Sequence, residues 1–135
     1  GRSRQMDQSE ADIIAGSLEA VVARVGDPAG QIFERLFAEI PQARERFARD
    51  VGGSIRGEML AMVFDCLMDP GGPYQANIVR TERVNHDGFG TPAEEFDRFF
   101  WIVRDTCQEL AGPDWTPEVA RAWTAGIERI VGASR

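Results

Sequence analysis

The sequence has two cysteines, one histidine and no lysine, and these scarcities exclude several classes of protein. Cys66 and Cys107 lie far apart in apolar segments, without a CxxC or Cys/His pattern. This arrangement argues against a disulfide framework and a zinc site and predicts buried free thiols, which favours a reducing, cytoplasmic setting. Because His86 is the only histidine, a metal ion bound through imidazole has one candidate ligand.

Long apolar runs and an excess of positive charge are also missing. No run approaches the roughly 20 apolar residues of a membrane-spanning helix, and we find no apolar core of a signal peptide near the N-terminus. The formal net charge is −7, whereas duplex nucleic acids and anionic membranes are bound by basic surfaces. We therefore expect neither a nucleic-acid partner nor a membrane partner.

The remaining composition is that of one globular domain. The chain has 135 residues, of which 43% are hydrophobic and 27% are charged, as is typical of a single folded domain. Residues 1–8 are predicted to be a flexible N-terminus or an extension foreign to the domain. The domain itself is predicted to span residues 9–132.

Apolar residues recur at three- and four-residue spacings along nearly the whole chain, which predicts an all-α fold of six to seven helices. The predicted helix starts carry a capping residue or a proline: Ser9, Pro41, Thr91-Pro92 and Thr116-Pro117. The predicted breaks are rich in glycine or proline: Gly26-Asp27-Pro28, residues 50–54, residues 69–73 and Gly112-Pro113. The segment 75–86 is polar and is predicted to be a short, less stable helix.

One histidine, one glycine and one aromatic residue follow the pattern His86-x-x-x-Gly90-x-x-x-x-x-Phe96. A second stretch, residues 112–119, is followed by Ala122-Trp123. Together these stretches resemble a globin, most closely the bacterial single-domain haemoglobins and the haem domain of flavohaemoglobins. In that family the first pattern contains the proximal histidine, and the second stretch leads into the last helix.

The resemblance covers about residues 9–131. Residues 32–47 and 59–63 contribute to it as well as the two stretches above. It implies a globin-like fold, a haem b cofactor and a diatomic gas ligand, for oxygen carriage or for gas or redox sensing. It also implies that His86 is the proximal iron ligand, since a neutral imidazole on a helix supplies the axial nitrogen. Relatives of this type often pair through their last two helices, so the resemblance further implies a homodimer.

The resemblance also implies residues that contact the cofactor. These cofactor-binding residues are Phe33, Phe47, Arg56, Leu60, Arg83 and Phe96. An inward-pointing Arg56 would stabilise a bound anion or oxygen, with Gly57 in its place if the preceding loop is one residue short. Each residue also has a simpler interpretation, because the apolar ones fit the core of any helical bundle and the arginines fit a solvated surface.

Three departures from the family argue against an efficient nitric oxide dioxygenase. Phe33 stands where oxygen-processing relatives carry a tyrosine, so no hydroxyl would donate to bound oxygen there. Phe96 replaces a second tyrosine, and the sequence ends at Arg135, before a glutamate that flavohaemoglobins use. We therefore expect a protein that is not an efficient enzyme.

Three functions remain open at this point, in order of preference. The first is a haem-binding globin that carries or senses a gas. The second is a haem-free sensory or interaction domain, with side chains such as Met59, Met62 and Phe64 filling the cavity. The third is a haem-dependent peroxidase or dioxygenase, for which Arg56 and Glu58 are the candidate distal groups.

Overall fold

The computed structural model describes residues 2–48, 50, 52–68 and 93–133, with side chains described from residue 9 onward apart from residues 93 and 133. Six α-helices occur in these ranges: α1 (Arg2–Val25), α2 (Ala29–Glu39), α3 (Gln42–Arg46), α4 (Ser54–Met68), α5 (Ala93–Ala111) and α6 (Pro117–Ala133). A short 3-10 helix, Gly112–Asp114, connects α5 to α6. The described elements are all helical, which confirms the predicted all-α class.

Most helix boundaries lie where glycine and proline predict them. Helix α1 ends before Gly26, which has a φ of 75° and adopts the left-handed conformation that glycine tolerates best. Thr116 caps α6, since its hydroxyl oxygen accepts a hydrogen bond from the backbone N–H of Val119 at 3.2 Å. The prediction that Ser9 caps α1 is wrong, because the helix begins at Arg2 and Ser9 lies inside it.

Helix α1 packs against three others, α4, α5 and α6, while α2 packs against α4 and α5. The fully buried Trp123 of α6 donates from Nε1 to the hydroxyl oxygen of Ser17 in α1 at 2.8 Å. Ser17 in turn donates to the carbonyl oxygen of Ile14 at 2.6 Å. The indole N–H therefore keeps a partner inside the core, which removes the cost of burying a polar group.

The crossing of α6 over α1 and α4 depends on a glycine. A Cβ atom at Gly126 would lie 3.2 Å from Cδ2 of Leu67 and 3.5 Å from Cδ1 of Ile14. The first distance is tighter than an ordinary van der Waals contact, so the absent side chain allows the three helices to approach closely.

Both cysteines lie in this core. Cys66 and Cys107 are buried and neither forms a disulfide, as the sequence predicts. Burial raises the pKa of the Cys107 thiol to about 12, because a thiolate is poorly solvated among apolar side chains. None of the helices in the described ranges is both long enough and apolar enough to cross a membrane.

Candidate ligand pocket

An apolar pocket with a volume of about 170 Å³ lies where α2, α3, α4 and α5 meet. Its lining consists of Leu36, Ile40, Ala43, Arg46, Phe47, Ile55, Met59, Glu95, Phe96 and Phe99. The charged members of this lining, Arg46 and Glu95, form an ion pair with each other. The pocket thus combines apolar walls with a single charged contact, which is typical of small-molecule sites.

A cluster of phenylalanine rings extends from the pocket lining into the core. The ring of Phe33 lies 5.4 Å from that of Phe47, 5.5 Å from that of Phe99 and 6.2 Å from that of Phe37, measured between centroids. These separations lie in the favourable range for aromatic pairs. Phe47 and Phe99 belong to the pocket lining and Phe33, which is almost completely buried, packs against both, so apolar rings back this side of the pocket.

The Arg46–Glu95 ion pair joins the last residue of α3 to the first turn of α5. Nη1 of Arg46 donates to Oε2 of Glu95. The two side chains keep 32% and 22% of their surface exposed, so solvent reaches the pair from outside. It therefore stands between the apolar interior of the pocket and the surrounding water.

A buried carboxylate shapes the neighbouring turn before α4. Oxygens of Asp50 accept hydrogen bonds from the backbone N–H groups of Ile55 and Arg56, both at 3.0 Å, and from Nε of Arg56 at 3.1 Å. Gly52 and Gly53 have φ values of 90° and 77°. This left-handed conformation allows the chain to turn so that Asp50 caps the start of α4.

The hydrogen bonds to Asp50 also control its ionisation. Burial by itself raises the pKa of Asp50, but the N–H groups of Ile55 and Arg56 and the Arg56 guanidinium outweigh that effect. The pKa of Asp50 is consequently lowered below its ordinary value of 3.8. Because Ile55 lines the pocket, the same carboxylate that caps α4 also positions one wall of the pocket.

The structure brings together some of the residues that the sequence predicted around a cofactor. Phe47 and Phe96 line the pocket, and Phe33 packs directly behind Phe47. Leu60 is buried in the core. The guanidinium of Arg56 binds Asp50, with Nε at the carboxylate and Nη2 at the carbonyl oxygen.

The remaining predictions fall outside the described residues. These are His86, Arg83, the helix predicted over 75–86, and the Thr91-Pro92 start of α5. Within the described ranges, no group of three or more His, Cys, Asp and Glu side chains could hold a metal ion.

Sequence reasoning missed Arg46, Glu95 and Asp50. Glu95 lies shortly after the predicted helix start at Thr91-Pro92, and nothing local marks its pairing with Arg46. Asp50 precedes two glycines, and this pattern predicts a loop without indicating that its carboxylate returns to the next helix. Only the folded geometry identifies these three side chains.

A second depression, between α2 and α5, is an open surface groove with a volume of about 380 Å³. Its residues include Arg35, Thr106 and Glu109. Arg35 pairs with Glu39 at 2.9 Å and with Glu109 at 3.3 Å. Exposed pairs of this kind are ordinary surface features.

Comparisons with known proteins assign neither a family nor a function to the chain. No protein-family model, curated protein or solved structure matches the chain. Its function is therefore inferred from the residues of the pocket together with the resemblance in its sequence.

Proposed function

We propose that the chain binds haem b in the pocket between α3, α4 and α5, with His86 as the proximal iron ligand, and uses it to carry or sense a diatomic gas. The observation that carries this proposal is the meeting of Phe47 and Phe96 in one pocket, with Phe33 behind Phe47. The sequence resemblance names these residues from three separate segments, and haem binding requires them to share a site.

The chemistry of the pocket fits an apolar macrocycle with acidic side chains. Its walls are mainly aromatic and aliphatic, and Arg46 offers a guanidinium to a carboxylate. Its volume of about 170 Å³ is below the range of about 300–1,000 Å³ that is usual for ligand pockets. Haem binding therefore requires the walls of the pocket to separate, and the Arg46–Glu95 ion pair must break for this to happen.

Bound haem would supply an iron centre with one coordination position for a gas. Of the side chains predicted on the distal side, Phe47 lines the pocket, Phe33 and Leu60 are buried, and none offers a hydrogen-bond donor. The guanidinium of Arg56, the predicted polar group on the distal side, binds Asp50. We therefore expect a bound gas to be held mainly by the iron and by apolar contacts, which suits reversible binding rather than oxygen activation.

The enzymatic alternative has less support. A peroxidase or dioxygenase needs a distal acid, base or hydrogen-bond donor. The guanidinium of Arg56 is paired with Asp50, and Glu58 is exposed on α4. Neither candidate distal group therefore faces the pocket as an available acid, base or donor.

One observation favours a haem-free domain as the second candidate function. A pocket of about 170 Å³ is close to the cavity of about 150 Å³ that binds benzene in an engineered protein. Met59 lines the pocket, while Met62 and Phe64 pack against the core. In this alternative the pocket holds a small apolar molecule, and His86 has no role as a ligand.

Haemin titration of the wild type and His86→Ala separates the two candidates. We expect the wild type to bind one haemin with a sharp Soret band and His86→Ala to bind at least about 100-fold more weakly, since loss of even an indirect metal contact costs 10–100-fold. Asn85→Ala is the matched control and should behave as wild type. Added imidazole should restore the spectrum of His86→Gly, which a structural role for the histidine does not predict.

Two results would count against haem binding through His86. One is the absence of stoichiometric haemin binding by the wild type. The other is a Soret band that is indifferent to His86→Ala. Either result leaves the haem-free domain as the better candidate.

A further inference from the structure

The charged contact of the pocket lies in an unusual place for a surface ion pair. Arg46 and Glu95 both belong to the pocket lining, alongside apolar residues such as Phe47 and Met59. A pair that only stabilised the fold could lie anywhere on the surface, where its contribution would be small. Here the pair connects α3 to α5 at the lining of the pocket.

The chemistry of Arg46 defines what can replace Glu95. A guanidinium is a planar group of donors that matches a carboxylate, and it stays charged at all ordinary pH values. A ligand with a carboxylate at its edge could take the place of the Glu95 carboxylate while its apolar body enters the pocket. An uncharged ligand would have to leave Arg46 with Glu95.

The position of Glu95 lowers the energetic cost of releasing Arg46. Glu95 lies in the first turn of α5, where the helix dipole stabilises a negative charge. Part of its side chain is exposed, so water can solvate the carboxylate once Arg46 is released. Losing the ion pair therefore does not leave a buried, unpaired charge.

We infer that Glu95 is an internal competitor, which occupies Arg46 until a ligand carboxylate displaces it. The ligand class is a flat apolar molecule with at least one carboxylate. The inference rests on the proposed function, because haem with its two propionates belongs to this class, but it requires neither iron nor His86.

Metal-free protoporphyrin IX tests this inference without iron ligation. The porphyrin has two carboxylates, and its dimethyl ester has none, so each variant is titrated with both by porphyrin fluorescence. We expect Glu95→Gln to bind the diacid about tenfold more tightly than the wild type and Arg46→Gln about tenfold more weakly, as for one charged hydrogen bond. The ester cannot use Arg46, so Arg46→Gln should not weaken its binding.

Matched controls remove the same charges from the same helices outside the pocket. Glu94→Gln lies beside Glu95 in the first turn of α5, and Arg44→Gln lies in α3. Both controls should bind the diacid with the wild-type affinity. Thermal melting of each variant confirms that it is folded at the temperature of the titration.

The inference is overturned if Glu95→Gln leaves diacid binding unchanged, if the ester responds as the diacid does, or if the wild type binds no protoporphyrin. These results are distinct from the haemin test. Iron ligation through His86 with no effect of Glu95→Gln contradicts only the competitor role. Porphyrin binding that depends on Arg46, without iron ligation by His86, contradicts only the haem function.

Discussion

Replacing Phe99 with alanine is expected to lower the free energy of unfolding by about 3–5 kcal/mol, as is usual when a buried phenylalanine is truncated. Phe99 is 1% exposed, and its ring centroid lies 5.5 Å from that of Phe33. Since Phe99 also lines the pocket, the truncation should enlarge the pocket at its aromatic wall. Urea unfolding measures the loss of stability, and the rise in melting temperature with added benzene measures the gain in pocket volume.

Phe100→Ala provides the matched control. Phe100 is fully buried in the same helix and packs against Phe96, with centroids 5.9 Å apart, but it does not belong to the pocket lining. The two variants should lose similar stability, while benzene should protect Phe99→Ala far more than Phe100→Ala. Equal protection of both variants would contradict the assignment of the pocket.

Asp50→Asn is expected to lower the melting temperature by roughly 5 °C, as loss of a helix cap does in a small domain. The uncharged amide weakens the hydrogen bonds to the N–H groups of Ile55 and Arg56 and removes the charge that faces the Arg56 guanidinium. Asp65→Asn is the control, because Asp65 is an exposed residue of α4. Its melting temperature should stay close to that of the wild type.

The effect of Asp50 should depend on pH in a defined direction. Its pKa in the folded chain is lowered below 3.8, so its contribution to stability is complete above that value and is lost as pH falls through the folded-state pKa. The gap in melting temperature between the wild type and Asp50→Asn should therefore be constant near neutral pH and should close in strong acid. A gap that instead closes toward alkaline pH would show that the carboxylate does not provide the cap.

Glycine, proline and apolar spacing were sufficient to predict the all-α class and most helix boundaries in the described residues. Gly26, Pro28 and Gly112 mark helix ends because they disfavour continuation of the helix. Ser9 failed as a start signal because residues 2–8 contain neither glycine nor proline and continue the same helix. A capping residue begins a helix only where the preceding residues cannot extend it.

The residues of the pocket were harder to predict from the sequence, for a physical reason. The resemblance supplied Phe47 and Phe96, which line it. The pairing of Arg46 with Glu95 joins residues that are 49 positions apart, and no local periodicity encodes such a contact. The sequence left open whether Arg56 points toward a ligand or into solvent, and it did not indicate that the turn at Gly52 and Gly53 brings Asp50 within its reach. His86 as an iron ligand stays a prediction.

The burial of Cys66 and Cys107 has a practical consequence for measuring motion in the core. Alkylating reagents react with the thiolate, and a thiol with a pKa of about 12 is almost entirely protonated at neutral pH. Labelling of the native chain therefore requires the core to open, and its rate reports the free energy of that opening. A cysteine introduced on the surface would react long before either native thiol, so spectroscopic probes can be attached at chosen sites without replacing the native cysteines.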